Sequence, residues 1–219
     1  MLEEFQRIGK YLFQERLVDS HGGNLSLRVE DKIFVTRRDV MLSEIKEGDI
    51  IEVGLSPGEN DKLVSRELPS HRAIYRETEA KVVVHAHPAN AIAVSLTDNK
   101  IVPQDAEGLS RFKSAASVRV HQPIGSEEAA RLLPSFLQGG NVIAVVKGHG
   151  SFAIGKDMEE AYKYTSALEN SCRILIAIRA SGGGRPPVSK DKIERRPMER
   201  RSAIPPGIGV MDRSRYHKR

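Results

Sequence analysis

The sequence predicts an α/β domain around a largely antiparallel sheet, and three features lead there. Strand-like and helix-like stretches are interspersed without the even alternation of βαβ units, which disfavours a fully parallel sheet. Residues 82–88 read Val-Val-Val-His-Ala-His-Pro, a β-branched run that suits a buried strand and stops at a proline, which cannot donate to a ladder. The clearest helix starts at Asp157, with Glu160 completing a capping box, and stops at Gly182-Gly183-Gly184. Its apolar stripe is Ala161, Tyr162, Leu168, Cys172, Leu175 and Ile176. The 219 residues suffice for one sizeable domain with a real core.

The elements follow in order. Leu2, Phe5, Ile8, Leu12, Phe13 and Leu17 recur at helical spacing, so a helix is expected over residues 2–18. His21-Gly22-Gly23-Asn24 breaks it. Leu25-Ser26-Leu27-Arg28-Val29 alternates as a strand, and Lys32-Ile33-Phe34-Val35-Thr36 reads as its hairpin partner across Glu30-Asp31. Residues 49–54 read as a third strand and residues 56–61 as a turn cluster. A helix is expected over residues 69–78, with Pro69 tolerated in its first turn, and a strand over residues 81–87. A short helix follows over residues 89–96. Ile101-Val102 and residues 116–121 look like strands around a turn-rich segment. Ser126 caps a helix over residues 126–138, with Glu127 and Glu128 in its first turn and Gly139-Gly140 after it. Residues 141–146 and 151–154 read as strands around the turn Lys147-Gly148-His149-Gly150.

Composition excludes several function classes. No apolar run is long enough to span a membrane. The acidic, amphipathic start Met1-Leu2-Glu3-Glu4-Phe5-Gln6 is unlike a secretory signal, and the single cysteine, Cys172, suits a reducing compartment, so a cytoplasmic location is expected. The net charge of +5 is unevenly placed. Residues 181–219 carry 11 Lys/Arg against 4 Asp/Glu, whereas residues 1–180 carry 23 against 25. The expected organisation is therefore a domain over residues 1–180 and a basic, Pro/Arg-rich tail over residues 181–219. A nearly neutral body argues against a nucleic-acid partner, although the tail alone carries enough charge for salt-sensitive phosphate binding.

The chemistry centres on histidine. Side chains two apart on a strand share a face, so His85 and His87 present their imidazoles together at a strand end. Such a pair suits two corners of a metal site. His149, between Gly148 and Gly150 at another strand end, is a third candidate ligand, or simply part of a hairpin turn. Three nitrogens and an open position describe a catalytic zinc site. Glu67 is the candidate carboxylate for proton transfer. By position alone it reads first as an acidic residue favoured by a helix N-terminus. Gly22-Gly23-Asn24-Leu25-Ser26 exposes backbone and side-chain donors suited to an oxyanion, and Thr36, Ser65 and Ser126 are candidates to join it.

In chain order these pieces resemble the class II aldolase/adducin family. The set is Gly23-Asn24-Leu25-Ser26, Ser65-Arg66-Glu67 with His71 and Tyr75, Val83-Val84-His85-Ala86-His87, Gly125-Ser126-Glu127-Glu128, and Gly148-His149-Gly150 before the helix bearing Glu169. The resemblance spans residues 2–180 and lies nearest the L-fuculose-1-phosphate aldolase branch. It implies a three-layer α/β/α fold with a central, mainly antiparallel sheet. It implies Zn2+ on His85, His87 and His149, with Glu67 as a further ligand that then acts as acid/base. It implies phosphate binding by Asn24, Thr36 and Ser65, a phosphorylated sugar as substrate, and a homotetramer with active sites at subunit interfaces. Arg37-Arg38 stand where relatives often carry small residues, which makes Arg38 a candidate direct phosphate contact.

The reaction expected from this resemblance is cleavage of a short ketose 1-phosphate to dihydroxyacetone phosphate and an aldehyde. The 4-epimerase branch carries aspartate at the Glu67 position, which argues against it. The methylthioribulose-1-phosphate dehydratase branch places its acid about twenty residues after the histidine pair, where this chain has Gln104-Asp105-Ala106-Glu107. Bacterial aldolases place a tyrosine there to protonate the leaving aldehyde; Tyr216, in the tail, is the alternative candidate. A decarboxylase and a non-catalytic, adducin-like scaffold complete the alternatives, the last predicting loss of the histidines or the glutamate that this chain retains.

Overall fold

A computed structural model describes residues 1–182. Its elements are α1 (Leu2–Gln14), β1 (Asn24–Val29), β2 (Lys32–Thr36), β3 (Ile50–Gly54), α2 (Leu68–Glu77), β4 (Val82–Ala86), α3 (Ala89–Thr97), β5 (Lys100–Ile101), α4 (Ala106–Arg111), β6 (Ala115–Val118), α5 (Glu127–Phe136), β7 (Ile143–Val146), β8 (Gly150–Gly155) and α6 (Met158–Ala180). The eight strands form one sheet in the order β3-β2-β1-β4-β8-β7-β6-β5. The sheet is mixed: β6 and β7 run parallel, while the other neighbours pair antiparallel.

Alternation along β4 sorts the core into two apolar sets. Val82, Val84 and Ala86 pack with Phe5, Ile8 and Leu12 of α1, Ala91 and Val94 of α3, and Leu168 and Cys172 of α6. Val83 packs on the opposite face with Leu68, Ile74 and Tyr75 of α2 and Ala129 and Leu133 of α5. Every residue of β4 is buried, as its β-branched run requires. It lies between β1 and β8, with Asn24 opposite His85 on one side and Phe152 opposite His85 on the other.

The ends of elements differ from the sequence expectations for local reasons. Helix α1 stops at Gln14, and Arg16 then turns left-handed at φ 58°, which lets Leu17 and Val18 fold back into the core. Asp157 caps α6 by accepting from Glu160 N–H at 2.8 Å, whereas Glu160 Oε2 accepts from Lys156 N–H instead of closing on Asp157. The turn-rich segment holds α4, a helix that periodicity does not reveal. Its six residues include Gly108, and its cap residue Asp105 also ties it to α6. Asp105 accepts from Gly108 N–H at 2.7 Å and from Ser171 Oγ of α6 at 2.6 Å. Glu169, also on α6, accepts from the Asn90 and Ala91 backbone N–H groups and so caps α3, whose own cap residue is Pro88.

Candidate metal and sugar-phosphate site

The site lies where β4 ends. Strand pairing stops at Ala86, but His87 continues the direction and its Nε2 lies 3.1 Å from His85 Nε2. His149 arrives from the β7–β8 turn, which tightens as His149 N–H donates to the Val146 carbonyl at 3.0 Å. The three rings close on one another, with centroids 4.7 to 5.2 Å apart. One ligand nitrogen from each falls within 4.8 Å of the others.

Gly150 makes this closure possible. A Cβ there would meet the Ala86 carbonyl oxygen at 2.4 Å and the His87 and His85 rings at 2.8 and 3.0 Å. Gly150→Ala is therefore expected to lose metal binding by a large factor, roughly tenfold or more, because the rings must spread to admit the methyl group. Isothermal titration of the purified variant with Zn2+ checks it; affinity equal to wild type would show that the rings can spread freely.

The donor set fits a divalent ion. His85 Nδ1 lies 3.0 Å from the Ser151 carbonyl and donates to it, which leaves Nε2 with a free lone pair facing the site. The 3.1 Å between the two Nε2 atoms approaches the edge of about 3.3 Å for a tetrahedron with bonds near 2.05 Å. Burial lowers His149 to about 4, His85 well below the usual histidine range, and His87 in the same direction. All three are thus unprotonated at neutral pH, the form that ligates.

Glu67 faces this cluster from the N-cap position of α2, a buried carboxyl only 3% exposed. Its Oε1 accepts from Gly125 N–H at 2.7 Å and lies 3.7 Å from His149 Nε2. With His149 held neutral, that approach is not an ion pair; it is too long for a hydrogen bond and leaves the carboxylate aimed at the metal position. Burial pushes Glu67 up to about 7, opposed by the Gly125 and Ser70 hydrogen bonds. Gly125 is left-handed at φ 58°, and a Cβ there would strike the Arg66 carbonyl oxygen at 2.8 Å.

A cavity of about 180 Å³ opens beside these groups and is lined by Asn24, Arg38, Ser65, Glu67, His85, His87 and His149. Seven of the nine predicted site residues are thus brought together. Asn24 is buried, and its amide oxygen has no hydrogen-bond partner among the described residues, which is the kind of atom a bound ligand would satisfy. Ser65 Oγ accepts from Glu67 N–H at 3.2 Å and so also shapes the entry to α2. Arg38 uses Nε on the Val64 carbonyl. Thr36 is placed elsewhere: it is fully buried, its hydroxyl accepts from Leu25 N–H, and it does not line the cavity. Tyr216 lies outside the described residues.

Sequence reasoning missed Arg37, Asp39, Arg66 and Ile124 as cavity-lining positions. Asp39 turns left-handed at φ 58°, a conformation Asp tolerates better than most residues. Ser126, offered for an anion, spends its hydroxyl oxygen on Ala129 N–H as the cap of α5. Asp105 caps α4, and Glu107 pairs with Arg111; neither lines the cavity of its own chain.

Comparison with known proteins agrees with this geometry. Residues 3–176 match the family described as class II aldolase and adducin N-terminal domain. An L-fuculose phosphate aldolase of Methanococcus maripaludis is 29% identical over 178 residues, covering 81% of this chain and 97% of its own length. A methylthioribulose-1-phosphate dehydratase of Acidiphilium cryptum is 32% identical over 180 residues, covering 76% of this chain and 85% of its own. The crystal structure of L-fuculose-1-phosphate aldolase from Thermus thermophilus superposes with a TM-score of 0.79 at 30% identity, covering 84% of this chain and 97% of that one. With a matched segment that takes in the whole sheet, the histidine cluster and Glu67, the chain belongs to the class II aldolase and adducin family.

Proposed function

We propose that this chain is a zinc-dependent aldolase that cleaves a short ketose 1-phosphate, of the L-fuculose 1-phosphate kind, to dihydroxyacetone phosphate and an aldehyde. The observation that carries it is the buried Glu67 carboxyl, 3.7 Å from His149 in a cavity that also holds Asn24, Ser65 and Arg38. His85, His87 and His149 would hold the metal. A divalent ion there supplies Lewis acidity toward the negative charge that develops when the carbon–carbon bond breaks.

The chain's own residues supply the rest. Cleavage between C3 and C4 leaves the electron pair on the three-carbon fragment and turns the C4 hydroxyl into the aldehyde, its proton passing to a second group, the role proposed for Tyr216 of the tail. Glu67 delivers a proton to C3 and removes it again in the synthetic direction. A carboxyl raised to about 7 is suited to both, since near neutral pH it is present in both forms. Asn24, Ser65 and Arg38 hold the phosphate and orient the reacting carbons without joining the chemistry. The same reading includes a cytoplasmic homotetramer, which light scattering on the purified protein would test.

A second reading, dehydration of a thiosugar phosphate, is favoured by the Acidiphilium cryptum relative. Against it stands the placement of Asp105 and Glu107 away from the cavity of their own chain. The deciding experiment follows products from fuculose, rhamnulose, ribulose and methylthioribulose 1-phosphates, alongside analysis of bound metal. Release of dihydroxyacetone phosphate supports the aldolase; loss of water with the carbon chain intact overturns it. In the same assay Arg38→Ala is expected to raise KM about tenfold or more with kcat nearly kept, since a charge-assisted contact to a non-reacting group is lost. An unchanged KM would remove Arg38 from the phosphate site.

A further inference from the structure

Beneath the cavity, between β1 and α2, lies a buried polar set that the chemistry above does not use. Ser26 Oγ is 2.6 Å from His71 Nδ1 and 2.7 Å from the Tyr75 hydroxyl. Ser26 and His71 are fully buried, and Tyr75 is 1% exposed. None of the three lines the cavity. Burial lowers His71 to about 3, so its ring is neutral and serves as a hydrogen-bonding group.

Stability alone is a poor account of this set. Buried polar groups cost free energy unless fully paired, and apolar residues of similar volume would pack the same space. Here the pairing is incomplete, because His71 Nε2 has no partner among the described residues. What the set gains is direction. It joins the two elements that carry Asn24 and Glu67. Ser26 stands two residues along β1 from Asn24, which itself lies opposite His85. His71 sits one turn after Glu67, and its N–H donates to the Glu67 carbonyl at 3.1 Å. The His71 ring meets Phe152 edge-on at 6.0 Å, and Phe152 stacks on His85 at 4.2 Å. Arg28, farther along β1, donates to the Tyr75 carbonyl at 2.6 Å and ties the other end of α2 to the same strand.

We infer that Ser26, His71 and Tyr75 form a positioning network for the site. It holds α2 in register with β1, so that Glu67 faces the histidine cluster, and it backs the His85 ring through Phe152. An apolar helix–sheet contact tolerates small slides, whereas two short directional bonds to one serine do not. A misplacement of about 1 Å in a reacting group costs on the order of 10²-fold in rate. The three residues are positioning residues and touch no substrate.

The inference rests on the proposed function only for its rate measurement, so a substrate-free measurement accompanies it. Wild type, Tyr75→Phe, His71→Leu and His71→Asn are titrated with Co2+ alone, following its visible absorption, and are then assayed for kcat and KM. Thermal unfolding of each metal-free protein is measured in parallel. The expected result is that Tyr75→Phe and His71→Leu keep their unfolding temperatures close to wild type. Both should weaken Co2+ binding or lower kcat by about 10- to 100-fold, with KM little changed. His71→Asn, which returns a polar atom near the Nδ1 position, should recover much of the loss. Unchanged Co2+ affinity and kcat in both Tyr75→Phe and His71→Leu would overturn the inference. So would losses that merely follow a fall in unfolding temperature, or no recovery in His71→Asn. Wild type that binds Co2+ but releases no dihydroxyacetone phosphate would overturn the aldolase reading, and the network would then stand or fall on the Co2+ titrations.

Discussion

Glu67→Gln is expected to keep the fold and the metal and to lose about 10² to 10⁴ in kcat, measured as dihydroxyacetone phosphate release. Glutamine is nearly the same size, and its amide oxygen still accepts from Gly125 N–H, so the loop carrying Gly125 stays in place. What it lacks is a transferable proton. KM should move little, since the residues proposed to hold the phosphate, Asn24, Ser65 and Arg38, are untouched. Activity within threefold of wild type would remove Glu67 from the proton transfer.

The same variant gives a pH test free of substrate and metal. Burial raises the folded Glu67 to about 7 from an ordinary value of 4.5, so the folded protein holds this proton more tightly than the unfolded chain does. Stability from this group is therefore present below about 4.5 and is lost as pH rises through about 7. The full loss is on the order of 3 kcal/mol. Glutamine does not titrate. Metal-free Glu67→Gln should thus gain stability relative to metal-free wild type between pH 5 and pH 8, read by denaturant unfolding at both. The histidines are common to both proteins and cancel in the difference. A difference that does not change with pH would show that Glu67 keeps an ordinary carboxylate pKa.

Metal removal should have the other large effect. Chelation is expected to lower activity by roughly 10³-fold or more, because a Lewis acid supplies several kcal/mol toward the charge left by bond cleavage. Added Zn2+ should restore it. Stripping should also lower the unfolding temperature, since an ion that binds only the folded chain stabilises it by about 4 kcal/mol at a thousandfold excess over Kd. Replacement of His149 by alanine should mimic both effects without chelator. A stripped protein that remains fully active would end the metal mechanism.

Much of the site was legible because its chemistry is local in sequence. His85 and His87 share a face by strand period alone, and the proline after them marks the strand end. The N-cap residues Ser126 and Asp157 announced α5 and α6 by side-chain chemistry, and the structure shows both accepting the expected backbone N–H groups. Helix α4 was missed although Asp105 is a local cap, because six residues show no periodicity and the cap's second bond comes from Ser171, 66 residues away. Nor was the role of Glu169. Sequence placed it on a helix, but only folding brings its carboxylate to the N-terminus of α3. Thr36 shows the reverse case: a hydroxyl with the right neighbours in sequence is taken by a backbone N–H of the adjacent strand.

The sequence by itself pointed to an α/β fold and to the three histidines, because strand period and capping are short-range properties, whereas Glu67 came forward only through the order of motifs along the chain. The tertiary structure decided how those groups meet. His149 stands against His85 and His87 because Gly150 lets the β7–β8 turn press onto the end of β4. Glu67 is raised toward neutrality by burial beneath the loop that carries Gly125, a desolvation no single segment contains. The mixed sheet likewise follows from β6 lying beside β7, a neighbour choice made by packing across the whole domain. Distances and desolvation arise from residues far apart in the chain, and only the folded arrangement sets them.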